Sequence, residues 1–242
     1  MAEAIEAEGT AELGDNVPTA PPVGWAVGQL ELHVSDQISE DEMFARAAYF
    51  PGPTQSLTSE DFDSRSVHIV FRHGNSIAAY IRLTEGPPGV FRTWSRGAAM
   101  LTEGPDVADL SRCFVHHRYR RLELLRAVYL AGLLEASQRS MRLVNTVYTP
   151  GRYLAGTLRD IGFANSSNEC TSFEPNGNTR ICQPMTCDLL ASRALRADQW
   201  ERCERHLASN GFTIGLRHER FQRQPQAGVE RADCTAGAAV AS

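Results

Sequence analysis

The apolar and polar residues of the chain follow two different periods, which indicates strands and helices in mixed order. Residues 29–34 alternate with a period of two, as a half-buried strand does, whereas residues 40–49 follow the helical period. Two apolar runs, 66–72 and 76–83, flank His-Gly-Asn at 73–75, a sequence typical of a tight hairpin turn. These two strands are therefore predicted to be antiparallel neighbours.

The second half of the chain continues the alternation. Residues 107–115 are predicted to form a strand, 119–139 a long helix and 142–148 another strand. A helix is then predicted at residues 150–161, and strands are predicted at 164–174 and 180–189. A last helix is predicted at residues 196–209. This order predicts an α+β fold in which a mixed, mostly antiparallel sheet is flanked by helices.

The two ends of the chain differ from the part between them. Residues 1–24 are rich in Ala, Glu and Pro and show little apolar periodicity. Residues 224–242 also lack a regular apolar period. We expect both ends to be disordered tails. Because no repeat or low-complexity block interrupts residues 25–223, that stretch is predicted to be one domain.

Composition and charge exclude several classes of protein. With 242 residues and 42% hydrophobic content the chain can bury a sizeable core, and no apolar run is long enough for an integral membrane segment. The net charge of −5 argues against a nucleic-acid partner. All 24 basic residues are arginine, which excludes lysine Schiff-base and Walker-lysine chemistry. The N-terminus lacks the layout of a signal peptide, so a cytoplasmic location is expected.

Six cysteines without any CxxC pair are typical of a reduced protein. A zinc site of Cys170, Cys182 and Cys187 remains an alternative, but the spacing fits no common zinc site. We expect buried free thiols and no metal.

Two segments carry a first family resemblance. Val115 to Arg126 reads VHHRYRRLELLR between a strand and a long helix, and Ile-Gly-Phe follows at 161–163. In this order the segments resemble the donor loop and the late "GF" signature of the GNAT acyltransferase superfamily. The resemblance implies a GNAT-like fold with a split central sheet. It also implies donor contacts from the residues around the loop, Phe114, Val115, Arg118, Arg120 and Arg121. Non-glycine residues stand at 121–125, where the common coenzyme A loop has glycines.

A narrower resemblance covers about residues 46–163. Asp-Leu-Ser-Arg at 109–112, Glu-Asp-Phe-Asp at 60–63, Arg82, and the Arg46/Phe50 spacing resemble elements of acyl-homoserine-lactone (autoinducer) synthases and bacterial N-acyl amino acid synthases. The tryptophan that lactone synthases carry near their S-adenosylmethionine site is missing between the first helix and residue 60. The N-acyl amino acid synthase branch is therefore favoured.

That branch implies aminolysis of an acyl thioester, which needs a proton acceptor and donors for the oxyanion. Asp63 and Asp109 are the candidate acceptors, and Arg82 and Arg112 either orient them or bind an acceptor carboxylate. The candidate substrate-binding residues are Arg46, Phe50, Ser111 and Thr149. We expect no tightly bound cofactor, a small amino-acid acceptor, and an acyl thioester of acyl carrier protein or coenzyme A as co-substrate.

Arginines concentrate between residues 112 and 126, where five of them stand against one acid, Glu123. Acyl carrier protein is strongly acidic, so Arg118, Arg120 and Arg121 are predicted to form its docking patch. The alternative is an ordinary solvated helix start.

Structural interpretations remain beside the catalytic one. Asp63 and Asp109 are equally compatible with salt bridges to Arg82 and Arg112, and His68 with a core histidine whose hydrogen bonds are satisfied. Three other functions also remain: a lactone synthase that uses S-adenosylmethionine, an acyl-CoA-dependent acetyltransferase, and a non-catalytic GNAT-like binding domain.

Overall fold

The computed structural model of the chain describes seven segments: residues 28–50, 62–91, 95–96, 101–150, 154–166, 171–173 and 180–216. The predicted tails at 1–24 and 224–242 lie outside them, so the domain bounds stay a prediction. Within the described part, none of the helices combines the length and the apolar character that crossing a membrane requires.

Ten strands and four α-helices make up the described residues. The strands are β1 (Gly28–Ser35), β2 (Ser66–His73), β3 (Ser76–Glu85), β4 (Ser95–Arg96), β5 (Val107–Val115), β6 (Leu143–Tyr148), β7 (Phe163–Asn165), β8 (Thr171–Phe173), β9 (Arg180–Asp188) and β10 (Phe212–Leu216). The helices are α1 (Glu40–Tyr49), α2 (Leu124–Gln138), α3 (Leu154–Asp160) and α4 (Arg193–Ser209), and a 3₁₀ helix at His117–Leu122 precedes α2.

The strands form one sheet in the order β10-β1-β2-β3-β5-β6-β9-β8-β4, and β7 pairs with β9 beside this path. Among the described strands, β1 with β10 and β5 with β6 are the parallel pairs, and the other pairs are antiparallel. The predicted fold class, α+β with a mixed and mostly antiparallel sheet, is confirmed.

The hairpin between β2 and β3 is formed as predicted. His73 pairs with Ser76, and Gly74 between them has a φ of +57°. A positive φ is readily adopted by glycine because it has no Cβ, so this residue makes the tight turn possible.

The central sheet is split between β5 and β6. Their recorded pairing runs from Val107 with Leu143 to Asp109 with Asn145, although both strands continue well beyond these positions. Just past the last pair, Thr146 Oγ1 donates a hydrogen bond to the Leu110 carbonyl at 3.0 Å, so a side chain bridges the two strands. The split that the family resemblance implied is therefore present.

The two faces of the sheet bury different kinds of residue. On one face Ile81, Leu83 and Leu110 belong to the large apolar core that includes the inner side of α2. At Gly132 of α2 a Cβ would lie 2.7 Å from a Leu110 methyl carbon, which shows how closely this helix approaches β5. Because successive side chains of a strand point to opposite faces, Arg82 lies on the other face, which carries the polar residues described below.

The secondary-structure prediction misplaced the start of one helix and missed two strands, β4 and β10. The helix predicted to begin at residue 119 begins at Leu124, because Glu123 adopts a left-handed conformation with a φ of +52° and ends the 3₁₀ helix. The apolar period extends the predicted helix too far towards the N-terminus, because Tyr119 and Leu122 of the 3₁₀ helix are buried in the same core as α2. The strand β10 was not predicted, and its partner β1 lies at the other end of the sequence.

Candidate active site

Asp63 lies at the centre of a buried ion cluster. Arg46 donates from Nη1 and Nη2 to the two carboxylate oxygens of Asp63 at 2.8 and 2.7 Å. Arg82 donates from Nη1 to Asp63 Oδ1 at 2.9 Å and from Nε to Ser111 Oγ at 3.2 Å. Four residues that the sequence proposed for the site are thus joined by hydrogen bonds. We call Arg46, Asp63, Arg82 and Ser111 the Asp63 cluster.

Local structure brings these residues together from four parts of the chain. Ser39 and Glu42 form a capping box at the start of α1, with the Ser39 backbone N–H donating to Glu42 Oε2 at 3.0 Å. This box fixes the helix that carries Arg46 in its last turn. Arg82 in β3 pairs with Ser111 in β5, so their side chains lie side by side on one face of the sheet.

Asp63 remains ionised in this environment. Burial raises the pKa of Asp63, but the hydrogen bonds and charges of Arg46 and Arg82 outweigh burial and the net shift is downward. Burial lowers the pKa of Arg82, whose side chain is fully buried, against the opposing effect of Asp63. Such a carboxylate is an anchor for two guanidinium groups rather than a proton acceptor.

A buried histidine and tyrosine extend the Asp63 cluster, and the tyrosine was missed in the sequence because β3 reads as an apolar run. His68 Nδ1 and the Tyr80 hydroxyl are 2.8 Å apart. Burial raises the pKa of Tyr80 to about 12 and lowers the pKa of His68 to about 4, so both are neutral near pH 7. His68 was predicted to be a core histidine whose hydrogen bonds are satisfied, and this holds only for Nδ1. The other ring nitrogen, Nε2, has no hydrogen-bond partner among the described residues.

Arg112 lies beside the Asp63 cluster at an irregularity of β5. Its φ of +55° accompanies a shift in the register between β3 and β5. The guanidinium carbon lies 5.4 Å from the centre of the Phe50 ring. Burial lowers the pKa of Arg112 to about 10, and the positive charges of Arg82 and Arg46 act in the same direction. Arg112 and Phe50 therefore both border the cluster, as the sequence proposed.

Phe114 closes the same region with aromatic contacts, and Val115 does not take part. The Phe114 ring stacks on Tyr49 at 4.2 Å and on Tyr80 at 5.4 Å between ring centres. Val115 belongs to the apolar core on the α2 side of the sheet. Whether these two residues contact an acyl donor stays a prediction.

Asp109 is a buried carboxylate that is held by neutral groups. Asn145 Nδ2 donates to Asp109 Oδ1 at 3.0 Å, and the backbone N–H groups of Val90 and Phe91 also donate to the carboxylate. Burial raises the pKa of Asp109 to about 6, because these donors do not compensate fully for the loss of water and Glu103 adds a like charge. Asp109 therefore changes protonation state near neutral pH.

Asn145 is itself fixed by further hydrogen bonds. Thr186 Oγ1 donates to Asn145 Oδ1 at 2.9 Å, and Ser166 Oγ lies 2.7 Å from Thr186 Oγ1. Asn145 Nδ2 also donates to the Thr102 carbonyl at 3.0 Å. The sequence alone does not reveal this role of Asn145, because its partnership with Asp109 depends on the register between β5 and β6. We call Asp109 and Asn145 the Asp109 pair.

The four predicted catalytic residues divide between two adjacent places on one side of the sheet. Asp63, Arg82 and Arg112 lie at one place, and Asp109 lies at the other. Arg82 pairs with Ser111, and the next pair on that face is Thr84 with Asp109. Asp109 thus lies one strand repeat, about 7 Å, along β5 from Ser111. Asp63, Arg82 and Arg112 are neighbours, whereas the described hydrogen bonds of Asp109 go to other partners.

Thr149 lies just past the end of β6. The Thr149 Oγ1 and Cys182 Sγ atoms are 4.0 Å apart, and the described contacts do not join Thr149 to the Asp63 cluster. Its proposed substrate contact stays a prediction.

The docking patch predicted from Arg118, Arg120 and Arg121 stays a prediction. Arg118 and Arg120 are exposed on the 3₁₀ helix, and the side chain of Arg121 lies outside the described residues. Arg126 is buried and forms ion pairs with Glu123 and Asp160, both at 3.1 Å. It ties α2 to α3 and adds nothing to the surface charge, which corrects its assignment to the positive surface.

The cysteines give no support to the alternative zinc site. Cys182 and Cys187 lie five residues apart on β9, so they point to opposite faces and belong to different apolar clusters. Cys170 lies outside the described residues. Within the described segments, no three His, Cys, Asp or Glu residues are placed to hold a metal ion.

No protein-family model matches the sequence, and no curated protein matches it either. The structure is similar to an uncharacterized protein from Bacillus halodurans, with a TM-score of 0.53 and 9% identity over 71% of this chain and 91% of that chain. At this identity the likeness shows a shared fold alone.

Two further solved structures are similar with lower scores. The ribosomal-protein-S18-alanine N-acetyltransferase of Escherichia coli has a TM-score of 0.48 and 14% identity, over 65% of this chain and 94% of that chain. A CoA-dependent acyl-homoserine lactone synthase, MesI, has a TM-score of 0.45 and 15% identity, over 64% and 75%. The element order and the split sheet of this chain are those of the predicted GNAT-like fold.

Proposed function

We propose that the chain is an N-acyltransferase that moves a long acyl group from a thioester to the α-amine of an amino acid. The observation that carries the proposal is the position of the Asp109 pair. It lies at the last paired residues before β5 and β6 separate, on the same sheet face as the Asp63 cluster. A split sheet gives an extended thioester arm a place to lie between two strands.

In this proposal Asp109 accepts the proton of the amine, directly or through water. A carboxylate whose pKa is raised to about 6 by burial is a stronger base than an ordinary aspartate and is still ionised at neutral pH. Asp63 has a different role, because its two guanidinium partners keep its pKa low. It positions Arg82 and Arg46.

The arginines bind the acceptor. Arg82 lies opposite Ser111 on β3, and Arg112 follows Ser111 on β5, so both are about one strand repeat or more from Asp109. A carboxylate held by these arginines would direct the α-amine of an amino acid towards Asp109. Backbone N–H groups near the left-handed residue Arg112 are the proposed donors to the oxyanion. Cys113 is not proposed as a nucleophile, because desolvation raises the pKa of its thiol.

The donor in this proposal is acyl carrier protein. Arg118 and Arg120 are exposed on the 3₁₀ helix that follows β5, which places two cations at the end of the strand that borders the split. An acidic carrier would be attracted to this surface.

Product analysis tests the function directly. The purified protein is incubated with dodecanoyl-acyl carrier protein or dodecanoyl-CoA, and with either a mixture of the amino acids or S-adenosylmethionine, and amides are identified by mass spectrometry. N-acyl amino acids from the carrier-linked donor are the expected result. Lactone formation confined to S-adenosylmethionine, or no amide with any donor, would contradict the proposal.

Asp109→Asn should lower kcat/KM by about 10²- to 10⁴-fold, because the amide cannot accept the proton. Asp106→Asn is the matched control, since Asp106 is an exposed carboxylate just before β5, and its activity should stay unchanged. Comparable activity of Asp109→Asn and the control would remove Asp109 from the mechanism.

The donor is tested by charge reversal. Arg118→Glu with Arg120→Glu should raise KM for acyl carrier protein more than KM for acyl-CoA, because the acidic carrier contacts a wider surface than the phosphates of coenzyme A do. Arg202→Glu, an exposed residue on α4, is the control. Equal effects on both donors would contradict docking of a carrier at this surface.

A further inference from the structure

A groove with a volume of about 810 Å³ lies between α2 and α4. It is on the sheet face opposite to the Asp63 cluster, because α2 covers the face to which Ile81, Leu83 and Leu110 point. Small-molecule sites in proteins usually have volumes of about 300–1,000 Å³. The groove is therefore large enough for a ligand that is separate from the substrates of the candidate active site.

The floor of the groove is apolar and partly open to solvent. Leu130 and Leu189 form its buried base. Leu134 and Leu190 line it with 41% and 81% of their surfaces exposed. Trp200 also lines it, and its indole N–H donates to Glu204 at 3.0 Å, which holds the ring in place. An exposed apolar surface of this kind is typical of a binding site.

Arginines surround this floor. Arg142 and Arg193 are exposed at the rim of the groove. Arg196 also lines it and is fixed by hydrogen bonds to Ser192 Oγ at 2.6 Å and to the Leu189 carbonyl at 2.8 Å.

Two acids lie near these three arginines. Glu201 lines the groove. Asp188 is close enough to Arg142 and Arg196 for their charges to contribute to lowering its pKa, and it accepts the backbone N–H groups of Leu190 and Ala191 at 2.9 Å. The three arginines therefore outnumber the two acids, and one of these acids, Asp188, is already hydrogen-bonded to backbone N–H groups of a turn. The rim of the groove therefore favours an anionic ligand group.

We propose that this groove binds a long-chain carboxylate, a molecule with one acyl chain and one carboxylate head. The chain lies on Leu134, Leu190 and Trp200, and the head is held by Arg142 and Arg193 at the rim. The groove lies on the sheet face opposite to Asp63 and Asp109, so this site is independent of the proposed catalysis.

Isothermal titration calorimetry with dodecanoate, below its micelle concentration, tests the proposal with the full chain. One saturable site is expected, and dodecanol, which has the same chain without the charge, should bind more weakly. Arg142→Gln and Arg193→Gln should each weaken dodecanoate binding about threefold. Leu190→Ser should weaken it about fivefold.

The control variant is Arg205→Gln, an exposed arginine of α4 outside the groove, which should bind dodecanoate as the unaltered chain does. Circular dichroism checks that each variant is folded, which the exposure of Leu190, Arg142 and Arg193 favours. Three outcomes would overturn the proposal: no saturable binding, equal affinity for dodecanol and dodecanoate, or groove variants that bind like Arg205→Gln. The product assay described above does not depend on these results.

Discussion

The half-buried Asp63 and the buried Asp109 lie on the same side of the sheet, yet their pKa values shift in opposite directions. Two guanidinium groups contact Asp63, and its pKa falls. An amide and two backbone N–H groups contact Asp109, and its pKa rises to about 6. The difference teaches that charged partners turn a buried aspartate into a fixed ion, whereas neutral donors leave it able to exchange a proton.

The largest expected effect is the loss of the Asp63 charge. Asp63→Asn leaves Arg46 and Arg82 buried without their anion, so the free energy of unfolding should fall by about 3–5 kcal/mol. Urea denaturation at pH 7 measures it. Asp41→Asn is the control, because the Asp41 side chain is 53% exposed beside Arg72 and its loss should cost less than about 1 kcal/mol. Equal losses would show that the Asp63 cluster is not a buried network.

Asp109→Asn should change the pH dependence of stability instead. The folded pKa of Asp109, about 6, exceeds the value of 3.8 of an ordinary aspartate, so its contribution to stability is complete below pH 4 and is lost as the pH rises through 6. Relative to Asp109→Asn, the original chain should lose roughly 3 kcal/mol of unfolding free energy between pH 4 and pH 7. Urea denaturation across this range measures the difference between the two proteins.

His68 titrates in the same pH range with the opposite sign, because its folded pKa of about 4 lies below its ordinary value. It is present in both proteins, so its contribution cancels in the difference. A difference that does not vary with pH would mean that Asp109 has an ordinary pKa.

Arg46→Lys sharpens the role of the paired hydrogen bonds. A lysine keeps the charge but cannot make two parallel hydrogen bonds to Asp63, so the unfolding free energy should fall by about 1–2 kcal/mol. Arg202→Lys, at an exposed position of α4, should cost less than about 0.5 kcal/mol in the same urea experiment. Similar losses in both variants would show that charge alone matters at Asp63.

The smallest effect is expected at Asn145. Asn145→Ala removes a hydrogen bond that lowers the pKa of Asp109, which should therefore rise by about one further unit. The carboxyl ¹³C shift of Asp109, followed by NMR as a function of pH, measures this. Thr146→Val removes neighbouring hydrogen bonds of β6 that do not reach Asp109, so it should leave this pKa unchanged. An unchanged pKa in Asn145→Ala would contradict the Asp109 pair.

Local patterns predicted most of the fold. The helix at 40–49, the hairpin around Gly74 and the strand at 107–115 all depend on neighbouring residues, and the structure has them. The start of α2 depends on the backbone conformation of Glu123, and β10 depends on a partner at the distant start of the chain. The start of α2 leaves no signal in the hydrophobic period. The alternation of Phe212, Ile214 and Leu216 is a signal for β10, but it covers only five residues.

The candidate site was predictable only where a motif supplied it. Asp63, Arg82 and Arg46 came from the order of family-like elements, and the structure joins them. Tyr80 and Asn145 have no such signal, because their roles arise from pairing between strands that a single sequence does not reveal. The contrast between the two aspartates depends on these same partners.

The parallel pairing of β10 with β1 has a consequence for any shortened form of the chain. A version that stops before Phe212 would uncover the backbone N–H and C=O groups of β1 that residues 212–216 now satisfy. An exposed edge strand with unpaired backbone groups can form hydrogen bonds with strands of other molecules. Loss of β10 should therefore appear first as self-association of an otherwise native protein, visible by light scattering before any change in helix content.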